Sequence, residues 1–358
     1  MDKKRNANTQ SLKIMDINKN NDFNCSIPNL HTAKIILHNG VFVGGRAISE
    51  NVICKNEKDI FVIEIPENKV LSLPLQMVNT LYDGKQTQTK MIIRVGSQSK
   101  VQFIHCDDSC DEQSSTSFNT IDILLAANSS FDYYKMENIN NDSSITTEVN
   151  FNLAQGSKLK TYGFSLNGKQ VTNTLNVFLN EPYAEVRLNG LYLMDKQQEV
   201  STYVNVRHNA ADCHSNQLFK GILDDSAKAR FVGHVFVDYG AKNTEAMQTN
   251  KNILLTDKAK INTKPFLEIY NDDVKCSHGA TIGQLDEEAM FYLRSRGISF
   301  RSARMLLMYA FCQEILLENT IAPLGESISE IIKLRLQGEL SACCDCVFQC
   351  AQAKNHQK

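Results

Sequence analysis

The sequence predicts a mainly β chain of stacked repeating units that gives way to α-helices toward its C-terminal end. Three observations lead there. Turn or small residues running into a charged residue and an apolar strand start recur near Val101, Phe131, Leu159, Val186, Val200, Ala229 and Ile261. Several of these intervals are roughly 30 residues, a length compatible with one coil of a parallel solenoid. The chain has six prolines and none lies between Pro182 and Pro265, so no proline removes a ladder donor there. After Gly283 the period-two alternation stops and helical spacing takes over.

In chain order, a polar leader to about Asn29 precedes KIILHNGVFVGG (Lys34 to Gly45), and FVIEI and VLSLPLQMV between Lys55 and Asn79 suggest short strands. We therefore expect a short N-terminal region over 1–79, a solenoid core over 80–284, and a helical domain with a cysteine-rich tail over 285–358. Within the core, GFSLNGKQ (Gly163 to Gln170) nearly spells a phosphate-binding loop. However, Gln170 stands where a hydroxyl must meet Mg²⁺, and VTNTLNVFL then alternates like a strand instead of opening a helix. Asn167-Gly168 reads better as a tight turn, so no nucleotide is expected on this chain.

The stretch from Lys264 to Gly297 holds the most chemistry. Residues 266–270 alternate as a strand, Asn271-Asp272-Asp273 is turn chemistry, and Val274, Cys276 and His278 then share one face of a second strand. A thiol and an imidazole projecting together suit metal or cluster ligation as well as redox or acid–base work. From the residues alone, a buried thiol beside a hydrogen-bonded histidine is the favoured reading. Asp272 and Asp273 read as a solvated turn rather than iron ligands. Asp286 is placed to cap a helix that ends in Arg294 and Arg296 before Gly297.

In the next helix, capped by Ser299 or Ser302, Ala303, Leu306, Leu307, Ala310 and Phe311 form one apolar stripe, while Met305, Met308, Tyr309, Ile315 and Leu316 make other faces apolar too. Such a helix packs between the solenoid end and a third helix near Ile328, Ile331 and Ile332, or it offers Met305, Met308, Tyr309 and Phe311 to a partner, since Met and aromatics are enriched at interfaces.

Charge and cysteine content narrow the class. Lys plus Arg total 38 against 40 Asp plus Glu, a net charge of −2, which gives no basic excess for nucleic acid or anionic lipid. No apolar run approaches the roughly 20 residues needed to cross a bilayer, and MDKKRNANTQ lacks the apolar core of a signal peptide. Eleven cysteines, an odd number without a secretion signal, argue for reduced thiols in a soluble cytoplasmic protein. Cys343, Cys344, Cys346 and Cys350 in CCDCVFQC are a candidate soft-metal group. His208, Cys213 and His214 read as solenoid turn and core positions, and Cys106 and Cys110 as loop residues.

CHSNQLFKGILDDSAKARFVGHVFVD (Cys213 to Asp238), TEAMQTNKNILLTDKAKINTKPFLEIY (ending at Tyr270) and CSHGATIGQLDEEA (from Cys276) closely resemble the SufB/SufD family of the Suf iron–sulfur cluster assembly scaffold. The last of these favours a SufD-type over a SufB-type subunit. The resemblance covers roughly Phe151 to Gly338, and the earlier chain only loosely. It departs from the family in a short leader and in Ala241-Lys242-Asn243-Thr244, where relatives commonly have Ala-Gln-Lys-Thr.

The resemblance implies a right-handed parallel β-helix with a C-terminal α-helical domain and a non-catalytic scaffold role in a SufBCD complex. It also implies pairing with SufB, docking of the ABC-type ATPase SufC on the C-terminal helices, and a transient iron–sulfur cluster or iron built near the SufB interface. In that setting His278 is the best candidate ligand on this subunit, with Cys276 a ligand or sulfur-handling thiol beside it. The alternatives are a SufB-like subunit, a β-helix carbohydrate-active enzyme with an acidic cleft, and a metal-binding protein using the C-terminal cysteines.

Overall fold

The computed structural model describes residues 27–46, 48–49 and 51–337; the CCDCVFQC group lies outside them. The strands are β1 (Ala33–His38), β2 (Val41–Arg46), β3 (Ile53–Glu57), β4 (Ile60–Ile65), β5 (Leu75–Leu81), β6 (Gln86–Val95), β7 (Lys100–Ser109), β8 (Thr116–Leu125), β9 (Ser130–Asn138) and β10 (Ser144–Leu153). They continue with β11 (Lys158–Asn167), β12 (Gln170–Leu179), β13 (Glu185–Met194), β14 (Glu199–His208), β15 (His214–Leu223), β16 (Lys228–Val237), β17 (Thr244–Leu254), β18 (Lys260–Ile269) and β19 (Val274–Gly283). Three helices follow, α1 (Glu287–Ser295), α2 (Phe300–Leu316) and α3 (Ala322–Gln337).

From β5 onward the chain alternates between two sheets. One is ordered β19-β17-β15-β13-β11-β9-β7-β5-β1-β2 and the other β18-β16-β14-β12-β10-β8-β6-β4-β3. Each odd strand pairs in parallel with the odd strand one coil away, giving a parallel β-solenoid of about 8 turns. The register repeats from Lys158 to Glu185 and from His214 to Glu245, intervals that match the period read from the sequence. The sheets start earlier than residue 80, because β1 pairs in parallel with β5 and β4 with β6. The expected 1–79 region thus contributes its own coil, closed by antiparallel β2 and β3. Short, interrupted strands had hidden it.

Alternation explains why these sequences are strands. In β16, KARFVGHVFV, Ala229, Phe231, Val235 and Val237 are buried in the bore while Lys228 and Arg230 face solvent. Phe103, Phe131, Tyr133, Phe151 and Phe231 fill the bore with Ile, Val and Leu from both sheets, and each coil buries its apolar side chains against the next. Corners between strands use Asn39, Asn68, Asn128, Asp212, Asp225 and Asn243 at positive φ, where Asn and Asp are tolerated because their side chains bond locally. The Asn167-Gly168 turn joins β11 to β12 as expected, with Gly168 at φ 138°.

A second core lies between the outer face of the odd-strand sheet and α2 and α3. Ile104, Cys106, Tyr134, Tyr162 and Leu191 pack against Met308, Cys312, Ile315, Ile328, Ile331 and Ile332. Full burial of each aliphatic side chain contributes about 1.5–3 kcal/mol. Cys106 is therefore a strand residue beneath the helices, not a loop residue. The buried face of α2 is Ala303, Met308, Cys312, Ile315 and Leu316, rather than the expected stripe through Leu306 and Ala310, which are exposed. A helix apolar on several faces takes its orientation from the surface it meets.

Polar clasps orient the helices. The Arg335 guanidinium donates to both Asp195 carboxylate oxygens at 2.6 and 2.8 Å, to Leu166 O and to Gln198 Oε1. Tyr162 Oη donates to Glu318 O at 2.6 Å. Among the described residues no helix is long and apolar enough to cross a membrane.

Candidate functional site at the open end of the solenoid

Cys276 and His278 lie on β19, the last strand of its sheet, whose inner neighbour is β17. The register sets Cys276 opposite Ala246 and His278 opposite Gln248. Both partners are buried and face the bore, so the thiol and the imidazole share its inward face, as the alternation predicted. Because no further coil follows among the described residues, Cys276 is only half-buried and His278 is exposed at the mouth.

Amides floor this mouth. Gln248 Nε2 donates to Gln217 Oε1 at 3.0 Å, Asn252 Nδ2 to Asn250 Oδ1 at 2.7 Å, and Asn250 Nδ2 to the Tyr192 hydroxyl at 3.2 Å. Burial pushes the Cys276 thiol above its ordinary pKa, so the proton must be displaced when the sulfur binds a metal or sulfur species. Among the described residues no three His, Cys, Asp or Glu side chains are grouped to hold a metal. The pair thus offers two donors, fewer than the four that a cluster requires.

Two strand edges are unpaired at this end among the described residues, the outer edges of β18 and β19. Pro265, which has no N–H to donate, sits in edge strand β18 opposite Gly233, where proline is tolerated. Phe266, Ile269 and Ile282 are exposed on these two strands, and Tyr270 is exposed just past the end of β18. Long, uncovered edges with apolar side chains are templates for pairing with another chain. Asp272 and Asp273 sit in the exposed turn between them, and Asp273 N bonds Asn271 Oδ1 at 2.9 Å, which satisfies the turn reading.

The helical end departs in part from expectation. Asp286 caps α1 through Ala289 N at 3.0 Å, Ser299 caps α2, and Gly297 at φ 83° ends the first helix. Of the docking candidates, Met308 is buried against the solenoid and is not available to a partner in this arrangement. Met305, Tyr309 and Phe311 are partly covered. Tyr309 bonds Ser329, and the Lys220 ammonium lies 4.5 Å over the Phe311 ring. The exposed aromatics are Phe291 and Tyr292 on α1, which buries no residue, and Phe300 at the start of α2. Their spacing next to the Asp286 cap was the available signal.

Elsewhere, His208 is fully buried, with Nε2 2.9 Å from Ser215 Oγ, and Cys213 is a core residue. The sequence reading missed a charged group inside the bore. His105, Asp107, Lys135 and Glu137 are all buried, and their inward parity with Phe103, Phe131 and Tyr133 was the signal that could have revealed them.

The fold and site define a protein of the parallel β-solenoid class with a helical flank and a thiol–imidazole pair at its open end. Residues 78–311 match the family described as SUF system FeS cluster assembly, SufBD core domain, and the chain belongs to that family. It is 37% identical over 193 residues to the iron–sulfur cluster assembly protein SufD of Escherichia coli, covering 54% of this chain and 46% of that one. To an iron–sulfur cluster assembly SufBD family protein of Synechocystis it is 32% identical over 318 residues, 84% of this chain and 66% of that one. To SufD of Bacillus subtilis it is 25% identical over 281 residues, 76% of this chain and 63% of that one. The matched region therefore spans about half to two thirds of these relatives.

Proposed function

We propose that this chain is a non-catalytic scaffold subunit of cytoplasmic iron–sulfur cluster assembly. It pairs through the open edges of β18 and β19 with a SufB-type subunit and carries a SufC-type ATPase on its helical end. The observation that carries this reading is the coincidence of the two unpaired edges with Cys276 and His278 at one mouth. A partner that extends the sheets would bring its own donors to complete the cluster, which is cargo in transit and not a resident cofactor. His278 supplies an imidazole ligand, and Cys276 gives a sulfur ligand once deprotonated. ATP bound by the partner would shift the pairing between states whose contacts differ.

The test is His278→Ala in the complex with SufB- and SufC-type partners, followed by size-exclusion chromatography with light scattering and by cluster reconstitution. The expected result is an intact complex with strongly reduced cluster yield. A normal yield would remove the ligand role, and a chain that stays alone while its partners associate would remove the scaffold role.

A further inference from the structure

A chamber of about 40 Å³ lies inside the bore, beneath the amide floor of the open mouth. Where other coils place Val, Ile or Phe, its wall carries Lys135, Thr147, Thr161, Ser165, Asn173 and Thr202. Gly163 helps to create the space: a methyl group there would meet only Asn189 O, at 3.9 Å. The rings of Tyr192 and Phe219 also line it, on coils nearer the mouth.

The wall is continuous with the buried charged group. Lys135 Nζ contacts Asp107 and stands 3.3 Å from His105 Nε2, while His105 Nδ1 is 2.8 Å from the Tyr133 hydroxyl. Ser165 and Asn173 donate to Glu137 Oε2 at 2.7 and 2.8 Å. Three polar atoms are left over, one of them Asn189 Nδ2 in the chamber wall. Glu137 Oε1 accepts no hydrogen bond, since Lys135 Nζ is 3.8 Å away, and the Thr161 hydroxyl, itself in the wall, has no partner. A polar gap longer than about 3.5 Å is where a bridging molecule belongs, and a buried orphan costs about 1–3 kcal/mol unless one is supplied.

The chemistry selects the ligand. Burial holds His105 neutral, well below its ordinary pKa, so the group carries two carboxylates against one ammonium and repels an anion. The orphans call for a molecule that both donates and accepts. We infer that the chamber is an internal water site, with water anchored on Lys135 Nζ and the Thr161 hydroxyl and hydrating the ion group from within the bore. The chamber exceeds the roughly 10–15 Å³ that a cavity needs to hold a water.

The test uses the full chain. High-resolution crystals should show ordered solvent within hydrogen-bond distance of Lys135 Nζ and Thr161 Oγ1, and no xenon should enter the chamber under pressure. In solution, water-oxygen relaxation dispersion should lose at least one long-lived water in Thr161→Val, an isosteric change, and in Gly163→Ala. An empty chamber, xenon within it, or a bromide peak after a soak would overturn the assignment, as would an unchanged long-lived water count in folded Thr161→Val.

Discussion

His278 stands opposite Gln248 across the last parallel ladder, and Gln248 is itself bonded to Gln217 one coil further in. The exposed imidazole therefore rests on a buried amide pair whose geometry is set by the solenoid.

Replacing Gln248 by Leu removes the donor to Gln217 and leaves another buried acceptor unpaired. The expected cost is about 1–3 kcal/mol, read as a lower urea midpoint at unchanged slope. An apolar floor beneath His278 should also lower cluster yield while pairing with the partner persists. A variant with wild-type stability would show that water replaces the lost amide.

The Arg335 clasp should decide whether the helical end stays docked. Its guanidinium is nearly buried and bonds Asp195 through two nitrogens. Arg335→Met keeps much of the stem but strips Asp195 and Leu166 O of their donors. Breaking such a pair costs about 3 kcal/mol. Hydrogen exchange should accelerate across α2 and α3 while amides of β9 to β16 keep their protection, because the solenoid has its own core.

His208 predicts an acid limit. Burial, reinforced by the nearby His214, lowers its pKa from 6.5 to about 4. Between those values the unfolded chain binds a proton that the folded chain refuses, so stability rises with pH through the window. It is fully present above 6.5 and is lost as pH falls toward 4. The span amounts to about 3 kcal/mol. His208→Gln, which can retain a bond to Ser215, should flatten the difference between urea midpoints at pH 7 and pH 4.5 relative to wild type; an unaltered difference would assign the acid sensitivity to carboxylates.

Local pattern explains what the sequence made legible. Val274, Cys276 and His278 share a face because strand parity is fixed by two-residue spacing, and Asp286 and Gly297 bound α1 through groups within one turn. The coil period was readable because corners repeat in composition. Contacts between distant segments were not. Only the packed solenoid shows that α2 turns Met308 and Cys312 inward and leaves Leu306 outside. Lys135 and Glu137 were passed over because charges are normally assigned outward, whereas here one charge group supplies the partners of the next.

Thiol chemistry offers the most direct check on the open mouth. Cys54 and Cys312 are buried, and burial pushes both up to about 12, so neither should react in the folded chain near neutral pH. Cys276 is half-buried and its thiol is raised by the same cause to a lesser depth. Only the thiolate attacks an alkylating agent, so native iodoacetamide labelling followed by peptide mass spectrometry should find Cys276 slow at pH 7. Its rate should climb steadily above pH 8, while Cys54 and Cys312 stay protected until unfolding. If a SufB-type partner pairs at these edges as proposed, it would cover the mouth and suppress the Cys276 signal without changing that of Cys110, which is exposed just after β7. Equal labelling of Cys276 in the free and paired chain would place the partner somewhere other than the β18 and β19 edges.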